Sequence, residues 1–575
     1  MPPALDREFV RAAAGAADRL AAPLAARPDE EPVAVPHRAL ARRAKTLIAA
    51  YRSPDSALYG SGRAVAAATA HLRALRAVQT STGLFAGGDN VQSPPDSGFT
   101  VNDVCDAHVL AAGAGPELRD VTAALAEIAG AATGSLLTGG VHTPNHRWEL
   151  CAALARLHRS FPDDRLLDRV GEWLAEGVDI DAEGLYSERS ANYAAHVSNP
   201  SLLLLAEVLG RPDLLDAVER NLATTLDLIR PDGTVETVLS RRQDQNQPFP
   251  LAPYLPHYRL LAIRTGRGDF SRAALLAAAG GIDDPDLLAE TLLTPDLCRV
   301  LPAPDAETLP RERYLSTARL AARASATAHT VVYGGSDVPE QRRIRSGLAC
   351  NPTFLRLFAG EAVLDAVRLS RGFFDLGPFR AADVRQPADH RYRLTETLTA
   401  AYYQPLSPDR HRQDGAYLMA DEGRFSAAMA FPDRPRDEVS HTTRVEADLR
   451  EDGADLRIDI SGPRVPWCLE LTFRPGGVPE GAVPLGDGRW CLTTGSMTYR
   501  VGDDEIRVEA EVASGEPLAG PDRSEILRYD PGQDYTVVGG TDATTGNRVY
   551  IGGLGPHTLT LALRAHRPAQ GPSRG

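Results

Sequence analysis

The stretch TPDLCRVLPAPDAETLPRER, residues 294–313, divides this chain into two kinds of sequence. Proline cannot donate a backbone hydrogen bond, so four prolines in twenty residues cannot continue a helix or sit in a central strand. Upstream, apolar residues recur at three-to-four spacing over Arg38–Tyr51, Arg63–Val78, Val101–Ala112, Leu118–Leu137, Asn145–Arg159, Arg165–Glu176, Ser201–Leu209, Asp213–Ile229, Leu251–Thr265 and Ser271–Ala279. Downstream the period falls to two over Thr353–Phe358, Thr442–Leu449, Leu456–Ile460, Leu469–Phe473, Ile506–Val512 and Thr558–Leu563. The expectation is an α+β multidomain protein. Stacked antiparallel helix hairpins, forming either a bundle or a closed α/α toroid, span 38–300, a Pro-rich linker 301–313, and an antiparallel β-sandwich 314–566. Residues 1–37 read as loose and 567–575 as a disordered tail.

A chain of 575 residues exceeds one ordinary core, which agrees with two domains. The net charge of −14 argues against nucleic acid or an anionic membrane as partner, while leaving room for an anionic small ligand in a local basic pocket. Six scattered cysteines without a Cys-x-x-Cys pair read as free thiols rather than as a disulfide framework or zinc knuckle. No signal peptide is visible and no apolar run reads as membrane-spanning, so a soluble cytoplasmic protein is expected. Nothing in the sequence fixes oligomeric state, and a homo-oligomer is compatible with it.

The polar chemistry concentrates in three bursts at helix breaks: GGVHTPNHRWE (139–149), LYSERSANYAAH (185–196) and SRRQDQ (240–245). Thr143-Pro144 predicts a helix start with Thr as N-cap and Pro in the first turn. Asn145 and His146 then sit at the positive end of the helix dipole, where an anionic ligand is favoured and a neutral His can act as base. Arg147 adds a cation, and Glu149, three residues after His146, is placed to orient it. His142 and His146 straddle the helix start, so no metal site is expected. In the second burst Tyr186, Glu188, Tyr193 and His196 form a loop cluster, with Arg189 able to lower a tyrosine pKa. In the third, Arg241 and Arg242 are placed to clamp a carboxylate, with Asp244 as a neutralising neighbour. A fourth candidate is Asp96 in SPPDSGF (93–99), which together with Ser97 reads as a helix cap. The plain alternatives are a capped helix with an exposed His for the first burst, a polar interhelical loop for the second, a solvated loop for the third and capping alone for Asp96.

Asn-His at a helix start, a Tyr/Glu loop with a tyrosine near a histidine, and a Pro-linked β domain together resemble the heparinase II/III-like polysaccharide lyases. That resemblance implies an α/α toroid followed by a β-sandwich. It also implies that Asn145 and His146 grip a uronate carboxylate while Tyr193 transfers protons. Family members carry a Gly-His-x-His-x-Asp-type segment entering a strand of the β domain. The matching stretch here, Ser346 to Asp365, has Cys350-Asn351 in place of His-Asn.

The expected function is therefore a lyase that cleaves a uronate-containing oligo- or polysaccharide by β-elimination, without cofactor or metal. Tyr193 and His146 would be catalytic. Asn145, Arg147, Glu149, Tyr186, Glu188, His196, Arg241, Arg242, Asp244 and Asp96 would bind substrate. A glycoside hydrolase using paired carboxylates (Asp96, Glu149, Glu188, Asp244) and a non-catalytic glycan-binding homologue are the alternatives. All these residues are expected to line one cleft at one end of the helical domain.

Overall fold

The structure is a computed structural model that describes residues 4–88, 90–341, 347–374, 376–493, 495–518 and 545–567, with backbone only at 246. It divides into two compact units, one comprising 1–229 with 249–307 and the other 230–248 with 308–575. Ser346 and the tail from 568 onward lie outside the described residues.

The first unit is helical. Its first seven long helices are α1 (Arg7–Ala26), α2 (His37–Arg52), α3 (Gly62–Ala77), α4 (Pro94–Ala111), α5 (Arg119–Thr138), α6 (Pro144–Ser160) and α7 (Asp164–Leu174). After them come Asn199–Leu209, Pro212–Leu228, Leu255–Thr265, Gly268–Ala278 and Leu287–Leu293. Helices near in the chain pack against one another, α2 on α3 and α4 on α5, and α4 also packs on α6, one helix further on. The N-terminal segment is not loose. Asp6 caps α1 by accepting the Phe9 N–H at 3.0 Å, and Phe9 with Ala13, Ala14, Ala17 and Ala21 forms a buried face. Arg259 fixes this end, donating to Asp6 at 2.8 Å with its guanidinium 3.7 Å from the Phe9 ring centroid. The stretch Pro116–Thr138 also departs from expectation. By length and a mean hydropathy of 1.3 it could cross a membrane. In the fold, Val121, Leu125, Ile128 and Leu136 are buried, and α5 packs on α3, α4 and α6.

The second unit holds two large sheets. One has nine strands in the spatial order Arg311–Leu315, Leu320–Ala324, His329–Tyr333, Leu355–Ala359, Ala362–Arg371, Pro466–Phe473, Asn547–Leu554, Arg489–Cys491 and Val483–Gly486. It is antiparallel except where Arg489–Cys491 runs parallel to Asn547–Leu554. The other has eight strands in the order Val478–Glu480, Ser496–Val501, Asp504–Ser514, His557–His566, Gly453–Ser461, Arg436–Arg450, Arg391–Tyr403 and Asp383–Ala388. Both sheets feed one core, with Leu364, Leu369, Leu469 and Phe473 from the first and Leu394, Val445, Ile458 and Leu561 from the second.

The segment 230–248 belongs to this unit rather than to the helices among which it lies in sequence. Glu236 is its anchor. Its carboxylate accepts from Arg356 at 2.6 Å and from the N–H groups of Thr237 and Val238 at 2.8 and 2.7 Å. Burial raises its pKa, but Arg356, Arg230 and these hydrogen bonds outweigh that and hold it below the usual range.

Arg368 and Glu470, opposite each other on neighbouring strands, form a fully buried ion pair. Breaking such a pair strands a charge in the core, while replacing both partners removes the problem. Arg368→Met is expected to destabilise the second unit by about 3–5 kcal/mol in urea titration, with Arg368→Met/Glu470→Met recovering most of the loss. A double variant no more stable than the single would contradict this account of the core.

Candidate functional site

In the first unit the start of α6 collects the polar groups. Thr143 occupies the N-cap position in extended backbone, but its hydroxyl caps no helix N–H. Instead it accepts the Asn145 side-chain amide at 3.2 Å. The same amide donates to both carboxylate oxygens of Glu188, at 3.0 and 2.8 Å. Both side chains are buried. This contact brings the loop of the second polar burst against the helix start.

From Glu188 the chain passes through Arg189, whose φ of +49° makes a turn that L-residues seldom adopt. Ser190 then caps the next helical segment by accepting the Tyr193 N–H at 3.1 Å. Tyr193 is half-buried, and the residues after it, Ala194–Ser198, form one turn of π-helix that packs on α6. π-Turns widen a helix by one residue and redirect the side chains that flank them. His196 stays exposed, edge-on to Phe249 with ring centroids 6.1 Å apart. Desolvation by its surroundings lowers its pKa.

The other side of the α6 start is built by α4. Ser93, not Asp96 or Ser97, is the cap, accepting the Asp96 N–H at 3.1 Å. Gly139, at the C-cap of α5, lets that helix end approach the start of α4, since a Cβ there would lie 2.6 Å from Pro94. Asp96 is paired with Arg38 and accepts from the Asn90 backbone and side chain at 2.9 and 3.1 Å. Burial raises the Asp96 pKa, and the Asn90 bonds, Arg38 and His146 more than reverse it. Arg38 lies 4.1 Å from the Phe99 ring centroid, and Phe99 meets His146 edge-on at 6.5 Å. The His142 and His146 rings also meet edge-on, at 4.7 Å, although the helix start lies between them. Among the described residues no group of three His, Cys, Asp or Glu side chains has the arrangement of a metal site.

Several expected site residues have other work. Arg147 donates to Glu176 and Asp179 at 3.0 and 3.3 Å and lies on Trp148, so its fork is spent within the scaffold. Glu149 does not orient His146; it accepts from Asn102 at 2.5 Å inside the helical core. Tyr186 is buried and donates to Asn199 at 2.8 Å, and burial foremost raises its pKa well above normal. Arg241, Arg242 and Asp244 belong to the second unit. There Arg241 grips Asp337 with both arms, at 2.9 and 2.8 Å, and Asp244 accepts from Ser240 at 2.5 Å. The Cys350-Asn351 departure is structural within that unit. The Cys350 N–H donates to the Gln245 side chain at 3.1 Å, and Asn351 donates to the Gln245 carbonyl at 3.1 Å.

Arg38, Asn90 and Phe99 joined the site without having been singled out in the sequence. Arg38 carried a signal: a cation in the first turn of α2, with no acid there, opposes the helix dipole and calls for a partner.

No protein-family model matches the chain, and no curated protein is similar to it in sequence. Its fold is similar to that of solved polysaccharide lyases. Heparinase III aligns with a TM-score of 0.58 at 10% identity, over 93% of this chain and 77% of that one. A Paenibacillus xanthan lyase aligns with a TM-score of 0.52 at 10% identity, over 96% of this chain and 57% of that one. At such identity the likeness is one of fold alone.

Glu149 supplies a test that separates scaffold from site. Burial pushes its pKa from 4.5 up to about 7, with the Asn102 hydrogen bond and Arg156 opposing the shift. Between those values the folded chain holds a proton that the unfolded chain releases, so stability falls as pH rises from about 4.5 through about 7. Glu149→Gln keeps the acceptor for Asn102 and removes the titration. Its stability should vary less across that window and exceed the wild type at pH ~8 by on the order of 1–3 kcal/mol. Parallel pH–stability curves for the two proteins would refute the assignment.

Proposed function

We propose that the protein is a glycan lyase, with its helices arranged as an α/α toroid and its two sheets as a β-sandwich. On this reading it cleaves a uronate-containing chain by β-elimination in the site at the start of α6. The observation that carries the reading is the contact of the Asn145 amide with the Glu188 loop, which joins the Asn-His helix start to the segment opened by Tyr193. The fold likeness to heparinase III supports it.

The chemistry follows from the groups present. Removing the proton α to a carboxylate leaves charge that must spread onto the carboxylate oxygens. Asn145 and the uncapped N–H groups at the start of α6 supply donors there. His146 or Tyr193 accepts the C5 proton. The C5–H electron pair forms the C4–C5 double bond as the C4–O bond breaks, and Tyr193 protonates the departing glycosidic oxygen. Arg38, held by Asp96, adds a fixed positive charge beside His146's neighbour Phe99. Arg147, Glu149 and Tyr186 have no part in this scheme, being bonded within the scaffold. The paired-carboxylate hydrolase reading loses Glu149 for the same reason.

Tyr193→Phe removes one half-buried hydroxyl and nothing else, so folding should be unchanged. On a panel of uronate oligosaccharides, the wild type should release product with the ultraviolet absorbance of a conjugated double bond. The variant should lose about 10²–10⁴-fold in kcat. New reducing ends without that absorbance would replace the lyase by a hydrolase, and binding without turnover would leave a glycan-binding protein.

His146→Ala should cost kcat more than KM, since the ring is assigned to proton transfer or its support rather than to holding the chain. A purely KM effect, read from initial rates over a range of substrate concentrations, would move His146 to a binding role.

A further inference from the structure

Away from the proposed site, one end of the space between the two sheets of the second unit holds a group of buried nitrogen atoms that the fold leaves unused. Arg371 ends the strand Ala362–Arg371 and is 1% exposed. Its Nη1 donates across to the other sheet, to Glu396 at 2.7 Å and Thr443 at 2.9 Å. Its Nε and Nη2 are buried and have no hydrogen-bond partner. Those two atoms form the side-on edge of the guanidinium, the edge whose parallel N–H bonds match the two oxygens of a carboxylate.

The neighbours repeat the pattern. Trp467 stands directly opposite Arg371 in the strand ladder, and its indole N–H is buried without an acceptor. His441 lies two residues before Thr443 on the facing sheet, fully buried, with both ring nitrogens unpartnered. His557 packs on Trp467 at 4.8 Å with both its nitrogens in the same condition. Burial and the adjacent Arg371 lower the His441 pKa to about 4, and burial lowers that of His557. Each neutral imidazole therefore contributes one donor and one acceptor. Counting the guanidinium edge and the indole, donors exceed acceptors, so the space is suited to a guest rich in lone pairs. Leaving such donors unmet in the core costs folding stability. Arg371 is already ion-paired with Glu396, so a guest bearing more than one negative charge is excluded.

We propose that this buried cluster between the sheets binds a small monoanionic carboxylate, held bidentately by the Nε–Nη2 edge of Arg371 with support from Trp467 and His441. The guest joins the two sheets at a point where their own hydrogen bonding is incomplete, and so stabilises the second unit. The inference does not depend on the lyase reading, and its test involves no glycan.

The experiment is thermal unfolding of the full chain in a buffer free of carboxylates, titrated with sodium formate or acetate at fixed ionic strength. The expected result is a saturating rise in Tm of about 5 °C. Chloride should give none, and sulfate only the unsaturating rise of an excluded salt. Arg371→Lys keeps the charge but has no fork, and should lose the saturating component. If that variant does not fold, His441→Phe retains the bulk and should shift the titration to at least several-fold higher concentration. A wild-type response without saturation, or one unchanged in a folded variant, would overturn the proposal and leave ordered water as the guest.

Discussion

A carboxylate buried at the root of a chain excursion, that of Glu236, decides how the sequence is divided between the two units. An ionised carboxylate removed from water must be met by cations and donors or it will not stay charged. Glu236 is met by Arg356, by Arg230 at 3.7 Å, and by two backbone N–H groups. Arg356 lies in a strand of the nine-stranded sheet. The nineteen residues 230–248 are thereby committed to the β unit, although helices precede and follow them in the chain. Everything carried by that excursion, including Arg241, Arg242 and Asp244, inherits the commitment. Arg241 closes on Asp337, and Gln245 is gripped by Cys350 and Asn351, so the excursion is held along most of its length. Cys350, the departure from the resembled motif, places its Sγ 3.4 Å from the Gln245 side-chain oxygen, beside the main-chain N–H and the Asn351 amide that also hold Gln245.

Two levels of the architecture were legible in the sequence, and the limits of each are physical. Helices with a polar face announce themselves by period, and α2, α3, α5 and α6 fall within a residue of where that period puts them, while α4 starts seven residues before the expected Val101. Helix α1 escaped because its buried face is mostly alanine, which gives little apolar contrast against neighbouring alanines. Strands exposed on one face alternate visibly, as in Gly453–Ser461, whose burial alternates from Asp455 to Ser461. Leu320–Ala324 and His329–Tyr333 are buried at every position, and Ala362–Arg371 at all but one. These three show no period of two and were missed, whereas the equally buried Leu355–Ala359 and Pro466–Phe473 were read because Arg356, Glu470 and Thr472 interrupt their apolar residues.

The candidate site shows the same division. Residue types clustered at a helix break told where polar chemistry gathers, but not which side chains face one another. Arg147 and Glu149 sit on the same helix turn as His146, yet the turn sends them to Glu176 and Asp179 on one side and to Asn102 on the other. Tyr186 was read as a loop tyrosine and lies in the core, because Asn199 offers its hydroxyl an acceptor there. Conversely Arg38 lay in an unremarked helix turn over fifty residues from its partner Asp96. Long-range partners of this kind leave no mark on local spacing, beyond the unfavourable cation at a helix start.

The electrostatics at the start of α6 bear on what such a site can accept. The helix dipole, the open first-turn N–H groups and Arg38 favour an anion, while Asp96 and Glu188 oppose one. Asp96 is largely neutralised, since Arg38 and the Asn90 donors are bound to it. Both Glu188 oxygens accept from the Asn145 amide, the donor assigned above to a uronate carboxylate. A carboxylate guest and Glu188 therefore compete for one amide, with like charges adding to the cost. On the lyase reading this competition has a consequence for specificity. A neutral sugar gains nothing by displacing Glu188, whereas a uronate replaces one carboxylate by another and retains the full strength of the charge-assisted bond. The same contact that assembles the site in the free protein then sets the condition that a ligand must satisfy to enter it.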